Sequence, residues 1–345
     1  MVTNVKTPRE RVLGLFRGEK GDRPPIFSGM GNVTVHGIDP HGWRFAEIHT
    51  DAEIMARGAA STYQLFGFEC AVVPFDLGIE AEVLGCEINY YAHSAQKILY
   101  PTIMKKLATD VEELQFDIPA DIETLGRVPL VLDAIRRLKA QLGDTIAIGA
   151  HVLGPFTLAG QVVELDNLLK MSAKKTPVVS ALLDKLAELL ISLANLYRAA
   201  GADYITVREM GGSSDVLSPR LFKTLILPPL QKLFAAMDRP RVLHICGTTS
   251  SILHLMAEAG AEAISIDQKN DATDAVKRIG DKVLVFGNLD PFGVLVNGTP
   301  DLIREKVKGI LDAGVDAVWP GCDIWPTVPE ENMRALMETT WHCRK

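Results

Sequence analysis

From residue 128 onward the chain repeats one pattern: a short apolar run that reads as a buried strand, then a longer run of helical period. Strands are expected over 145–150, 204–207, 241–244, 263–266, 283–287 and 317–319. Helices are expected over 128–142, 176–200, 218–237, 250–259, 271–279, 300–313 and 329–341. Three helix-to-strand junctions share a signature: Ala200-Gly201-Ala202-Asp203, Ala259-Gly260-Ala261-Glu262 and Ala313-Gly314-Val315-Asp316. There a glycine ends a helix and the chain turns into a strand. Upstream, strands over 24–28 and 70–73 enclose a helix over 51–66, which raises the strand count to eight. This predicts a (β/α)8 TIM barrel, an α/β fold, as a single domain over 1–345. An open doubly wound sheet has the same alternation, but no Gly-rich nucleotide loop follows the first strand. Two features decorate the barrel. One is an extra N-terminal helix over 7–18, capped by Thr7 with Pro8 at its first position. The other is an insertion after the second strand, roughly 75–127, in which 80–91 alternates like a hairpin and an acidic run begins at Thr109.

Within that frame, Val242-Leu243-His244-Ile245-Cys246-Gly247 brings an imidazole and a thiol to one side of a strand. Cys322, in Trp319-Pro320-Gly321-Cys322-Asp323, ends the eighth strand. His, Cys and Cys form a donor set suited to zinc, and three protein ligands leave the fourth position open, as in catalytic sites. A buried His and two buried Cys are also ordinary core residues. The placement at the C-terminal rim, where barrel enzymes keep their chemistry, favours the metal.

A net charge of −7 and the absence of a basic run exclude a nucleic-acid binder. The stretch 1–22 is polar, unlike a signal peptide, and the apolar window 182–200 is broken by Asp184, Lys185 and Glu188, so no membrane span is expected. Five cysteines without a secretory signal point to a reducing, cytoplasmic setting. Cys70 and Cys86 lie in apolar surroundings and read as core, and Cys343 as incidental. His36, His41 and His49 lack ligand spacing and read as a solvated loop.

The sequence Pro8-Arg9-Glu10-Arg11-Val12-Leu13-Gly14-Leu15-Phe16-Arg17-Gly18-Glu19, the His244-Ile245-Cys246-Gly247 motif with Cys322, and Gly287-Asn288-Leu289-Asp290-Pro291 resemble the uroporphyrinogen decarboxylase superfamily. The resemblance is to its corrinoid-dependent branch, the methylcobamide:coenzyme M methyltransferases, and runs over nearly the whole chain. It implies a zinc ion held by His244, Cys246 and Cys322, and transfer of a methyl group from methylcobalamin, on a corrinoid protein partner, to a small thiol such as coenzyme M. Relatives carry an acidic residue near the metal where Asp267 stands. Asp267 is expected either to hold the fourth position or to bond His244, or else to be a strand-end carboxylate tied to loop amides.

The remaining rim residues are weaker candidates. Glu209 and Arg208 end the fourth strand, and Arg208 suits an anionic group such as a sulfonate. Asn288 and Asp290 line the site or serve ordinary loop turns. Asp76 and His151 end the second and third strands. The loop Val207-Arg208-Glu209-Met210-Gly211-Gly212-Ser213 departs from that of the methanogen enzymes, which leaves the acceptor open. Three alternatives stand beside the thiol reading: a donor-side methyltransferase demethylating a methoxyaromatic or methylamine, transfer to tetrahydrofolate, and uroporphyrinogen decarboxylation. The last needs an Arg-rich N-terminal loop, and 27–33 contains no Arg. A corrinoid-carrying module is excluded by the lack of an Asp-x-His-x-x-Gly signature, so the corrinoid must arrive on a partner that the 75–127 insertion helps to receive. The oligomeric state is not legible.

Overall fold

In a computed structural model that describes residues 6–19, 21–94 and 98–343, the chain is a curled parallel sheet surrounded by helices, an α/β barrel. Seven strands follow in ring order: Cys70–Val73, Ala147–Leu153, Tyr204–Arg208, Arg241–Ile245, Ala263–Ile266, Leu284–Leu289 and Ala317–Pro320. The expected first strand is the place where the ring closes, and it is not a full strand. Ile26 forms a single parallel bridge to Val318. The amide of Val318 donates to Pro25 O at 3.0 Å and that of Glu69 to Ile26 O at 3.1 Å, so the segment lies between the last strand and the first. Its shortness has a local cause: Pro24 and Pro25 have no N–H to give to a ladder.

The glycine–acid junctions prove to be clamps. Gly201, Gly260 and Gly314 have φ of 118°, 101° and 86°, the left-handed turn that ends each helix. The acid two residues later accepts an amide at the start of the neighbouring strand: Asp203 from Ile148 at 3.0 Å, Glu262 from Arg241 at 2.8 Å, Asp316 from Val285 at 2.9 Å. The acid's own amide donates back to the same three residues at 2.6, 3.2 and 2.9 Å. A fourth copy, unnoticed in the sequence, is Gly67-Phe68-Glu69: Gly67 has φ 80° and Glu69 accepts from Ile26 N at 2.8 Å. Every second strand pair around the ring is locked in this way.

Aromatic rings fill the lower barrel. Phe27 meets Trp319 and Phe286 at centroid distances of 4.8 and 5.3 Å, and Phe16 of the N-terminal helix (Pro8–Phe16) packs on Phe27 and Phe286. That helix begins as expected, with Thr7 and Glu10 forming a reciprocal capping box. The insertion follows the Cys70–Val73 strand but is not a hairpin over 80–91. Ile79–Val83 is helical, and Glu87–Asn89 pairs antiparallel with the more distant Thr102–Lys105. Two helices that the periodicity did not reveal, Pro155–Val162 and Leu165–Lys174, stand between the His151 strand and the long helix Thr176–Ala200. The expected helix over 250–259 shrinks to Leu253–Ala257. Among the described residues no helix is long and apolar enough to cross a membrane.

Candidate metal centre

Parallel pairing sets one level of the barrel. Arg208 is in register with His244, and His244 with Ser265, so the three side chains stand abreast on neighbouring strands. His244 is fully buried. Its Nε2 lies 2.9 Å from Cys246 Sγ, and Cys246 Sγ lies 3.4 Å from Cys322 Sγ. The one ligand atom of each residue falls within 4.8 Å of the others, the one such group of three His, Cys, Asp or Glu among the described residues. Both cysteines are half-buried, and Cys322 lines an open cavity of about 510 Å³. The Cys322 thiol, sharing its proton with the neighbouring sulfur, holds Cys246 below the ordinary thiol range, while Cys322 itself is pushed far up. One imidazole nitrogen and two sulfurs fit a zinc ion in donor type and in spacing.

The other ring nitrogen of His244 is also assigned a partner. Nδ1 is 3.0 Å from the buried Ser265 Oγ, which fixes the ring with Nε2 toward the sulfurs. If zinc sits there, Ser265→Ala is expected to weaken its affinity by about 10–100-fold, as loss of an outer hydrogen bond to a ligand does elsewhere. Competition with a metal-binding dye checks this, and an unchanged affinity contradicts it.

The remaining sequence candidates divide. Asp267 accepts from Gly247 N at 2.9 Å and Lys269 N at 2.8 Å, the loop-amide arrangement, and Ser265 takes the place it would have held beside His244. Glu209 is turned to a helix start, where Phe156 N and Thr157 N donate at 2.9 and 2.8 Å and Thr157 Oγ1 at 2.6 Å. Asn288 ties Asn270 O at 2.7 Å, and Asp290 accepts from Phe292 N and Gly293 N at 3.0 and 2.8 Å. These four shape loops. Arg208 does border the cavity, yet it is not a free cation: it forks onto Asp323 at 3.1 and 2.5 Å. Burial works against the guanidinium charge, and Asp323, Cys322 and Cys246 more than restore it. His151 reaches Pro74 O at 3.0 Å and is kept neutral, its pKa pushed down to about 3 by burial and by Arg208.

Asp76 borders the cavity within a buried network. Arg127 grips it at 2.7 and 3.0 Å, and His49 Nδ1 lies 3.1 Å away. Burial opposes its charge, but His49 and Arg127 hold the carboxyl far below the usual range. His49 is therefore not in a solvated loop as expected; it is fully buried among Phe45, Phe75 and Tyr100. Asp323, Ser265 and Tyr100 carry no motif that sequence reasoning could have found. Nearby, Glu80 accepts from Leu153 N at 2.9 Å, and burial pushes its carboxyl up to about 7. A carboxyl raised on folding adds stability that is complete below its unfolded pKa of about 4.3 and is lost as pH rises through the folded value. Glu80→Gln is thus expected to remove about 2–3 kcal/mol of the fall in stability between about pH 4.5 and 7. The difference between the two proteins' urea-unfolding curves reads it, and parallel curves contradict it.

Comparison with known proteins places this geometry. Residues 7–342 match the model of the family described as uroporphyrinogen decarboxylase (URO-D). A methylcobamide:CoM methyltransferase of Methanosarcina barkeri is 34% identical over 336 residues, 96% of each chain. Another, of Methanosarcina acetivorans, is 32% identical over 335 residues, 96% of this chain and 97% of its own. A solved methyltransferase structure from Methanosarcina mazei superposes with a TM-score of 0.91 at 33% identity, covering 97% of this chain and 98% of that one.

Proposed function

The chain belongs to the uroporphyrinogen decarboxylase family and is a methyltransferase, and from that premise we propose that it moves a methyl group from a methylated corrinoid, carried by a partner protein, to a small thiol such as coenzyme M. The observation that carries this reading is the meeting of His244 Nε2 with two cysteine sulfurs at the cavity that Cys322 lines. In it, His244, Cys246 and Cys322 would hold zinc. Zinc there supplies the Lewis acidity that keeps a thiol in its thiolate form at neutral pH.

The chain's own residues do the rest. Ser265 fixes the imidazole, and the Arg208–Asp323 pair anchors the residue next to Cys322, with Gly31 N giving Asp323 a further bond at 2.7 Å. The apolar walls Phe75, Leu77, Ile103 and Ile324 keep bulk water from a sulfur nucleophile. In the transfer the sulfur attacks the methyl carbon; the S–C bond forms as the Co–C bond breaks, and the bond pair stays on cobalt. Arg208 is committed to Asp323, and its charge serves to hold that carboxylate beside Cys322. We read residues 1–345 as one barrel domain with 75–127 inserted, working in the cytoplasm, where its cysteines stay reduced.

The test is to purify the protein without chelator, measure zinc, and mix it with methylcobalamin with and without coenzyme M. About one zinc per chain and demethylation that requires the thiol is the expected result. Zinc-free protein that still turns over, or turnover indifferent to thiol, would overturn it.

A further inference from the structure

The barrel rim carries an exposed aromatic pair that the site described above does not use. Phe292 and Trp325 are 49% and 47% exposed, with ring centroids 5.1 Å apart and planes at 54°. Among the described residues theirs is the one ring contact in which both partners are exposed. Large exposed apolar side chains in mutual contact mark binding surfaces more than chance exposure does.

Neither ring hangs on a loose loop. Trp325 follows Asp323, which is pinned by Arg208 and Gly31, and Ile324, which is buried with its amide on Gly31 O at 3.0 Å. Its own carbonyl accepts from Val328 N at 3.1 Å, and Pro326 O accepts from Val35 N at 2.8 Å. Phe292 sits on the turn tied by Asp290, whose carboxylate takes the amides of Phe292 and Gly293 and whose carbonyl takes that of Leu295 at 2.9 Å. Two rigid turns from adjacent strand ends therefore present an apolar platform of fixed shape.

Its position says what it meets. Trp325 borders the same cavity as Cys322, three residues away. A cavity of about 510 Å³ suits a small thiol and is too small for a corrin macrocycle with its side chains. A cobalt-bound methyl that reaches the sulfurs must enter axially, which leaves the flat apolar ring face at the mouth. Resting on the reading under Proposed function, we propose that Phe292 and Trp325 form the platform on which the corrin macrocycle is seated, and so set affinity for the methyl donor.

The experiment uses free methylcobalamin with the full chain. Trp325→Ala and Phe292→Ala are each expected to raise the KM for methylcobalamin by roughly 3- to 10-fold, with a smaller change in the KM for the thiol; Trp325→Phe should recover most of the loss. Retention of methylcobalamin in ultrafiltration, which needs neither zinc nor thiol, should fall in the same order. An active protein whose two alanine variants keep the original KM and retention overturns the platform and leaves the proposed function standing. A protein that lacks thiol-dependent turnover yet loses retention in both variants does the reverse. If the variants shift only the sedimenting mass, the pair is a contact between two copies of the chain, and the platform is wrong.

Discussion

Cys322→Ala is expected to leave the column with almost no zinc and with thiol-dependent demethylation of methylcobalamin reduced more than about 100-fold, beyond the 10–100-fold that loss of an outer hydrogen bond costs. The donors come from two separate strand ends: His244 and Cys246 from one, Cys322 from the other. Removing Cys322 leaves one imidazole and one sulfur at the end of a single strand, fewer than the three protein ligands of catalytic zinc sites. Cys246→Ala should behave alike, because it removes the sulfur that lies between the other two donors, 2.9 Å from His244 Nε2 and 3.4 Å from Cys322 Sγ. Cys343→Ser, in the chain's final residues, should keep full zinc and turnover. Metal analysis beside a thermal melt separates loss of the ion from loss of the fold. A Cys322 or Cys246 variant that retains stoichiometric zinc would show that the cluster is a packed core and not a metal centre.

The parts legible in the sequence were those where one local rule decides. The barrel could be read because three Gly–x–acid junctions repeat in phase with the helices, and the His244–Cys246 pair because alternate strand residues share a face. The fourth junction was hidden because Phe66 and Phe68 stand where the other copies have Ala or Val, although Gly67 and Glu69 do the same work. What could not be read was decided by partners distant in the chain. Arg208 looked like a cation for substrate until Asp323, 115 residues on, proved to hold it. His49 sits among polar neighbours in sequence, and its burial comes from Phe75, Tyr100 and Asp76, which the insertion folds over it. The hairpin was misplaced for a similar reason: Glu87–Asn89 finds its partner at Thr102–Lys105, beyond any tight turn.

Glu69→Ala is expected to destabilise the barrel by about 3–5 kcal/mol, the cost of breaking a buried ion pair from one side. Glu69 is fully buried and ties the Ile26 segment to the first strand, where the prolines beside Ile26 prevent a regular ladder. It accepts from Ile26 N, pairs with Arg11 of the N-terminal helix, and holds Arg23 at 2.8 and 3.2 Å. Loss of the carboxylate leaves the buried Arg11 with Asp22 as its one remaining carboxylate, at 2.7 and 2.9 Å, beside the Lys6 carbonyl, and frees the Ile26 amide. Glu69→Gln should recover part of the loss, since an amide oxygen still accepts from Ile26 but supplies no charge to two guanidiniums. The site is reached through the same segment: Gly29 packs so close to the Tyr204–Arg208 strand that a Cβ there would lie 1.7 Å from Thr206 Oγ1, and Gly31 N holds Asp323 beside Cys322. A loosened closure should therefore lower thermal stability first and zinc retention on mild heating second. A Glu69→Ala protein that melts within about 1 °C of the original would mean the ring is held shut by its aromatic core and not by this clamp.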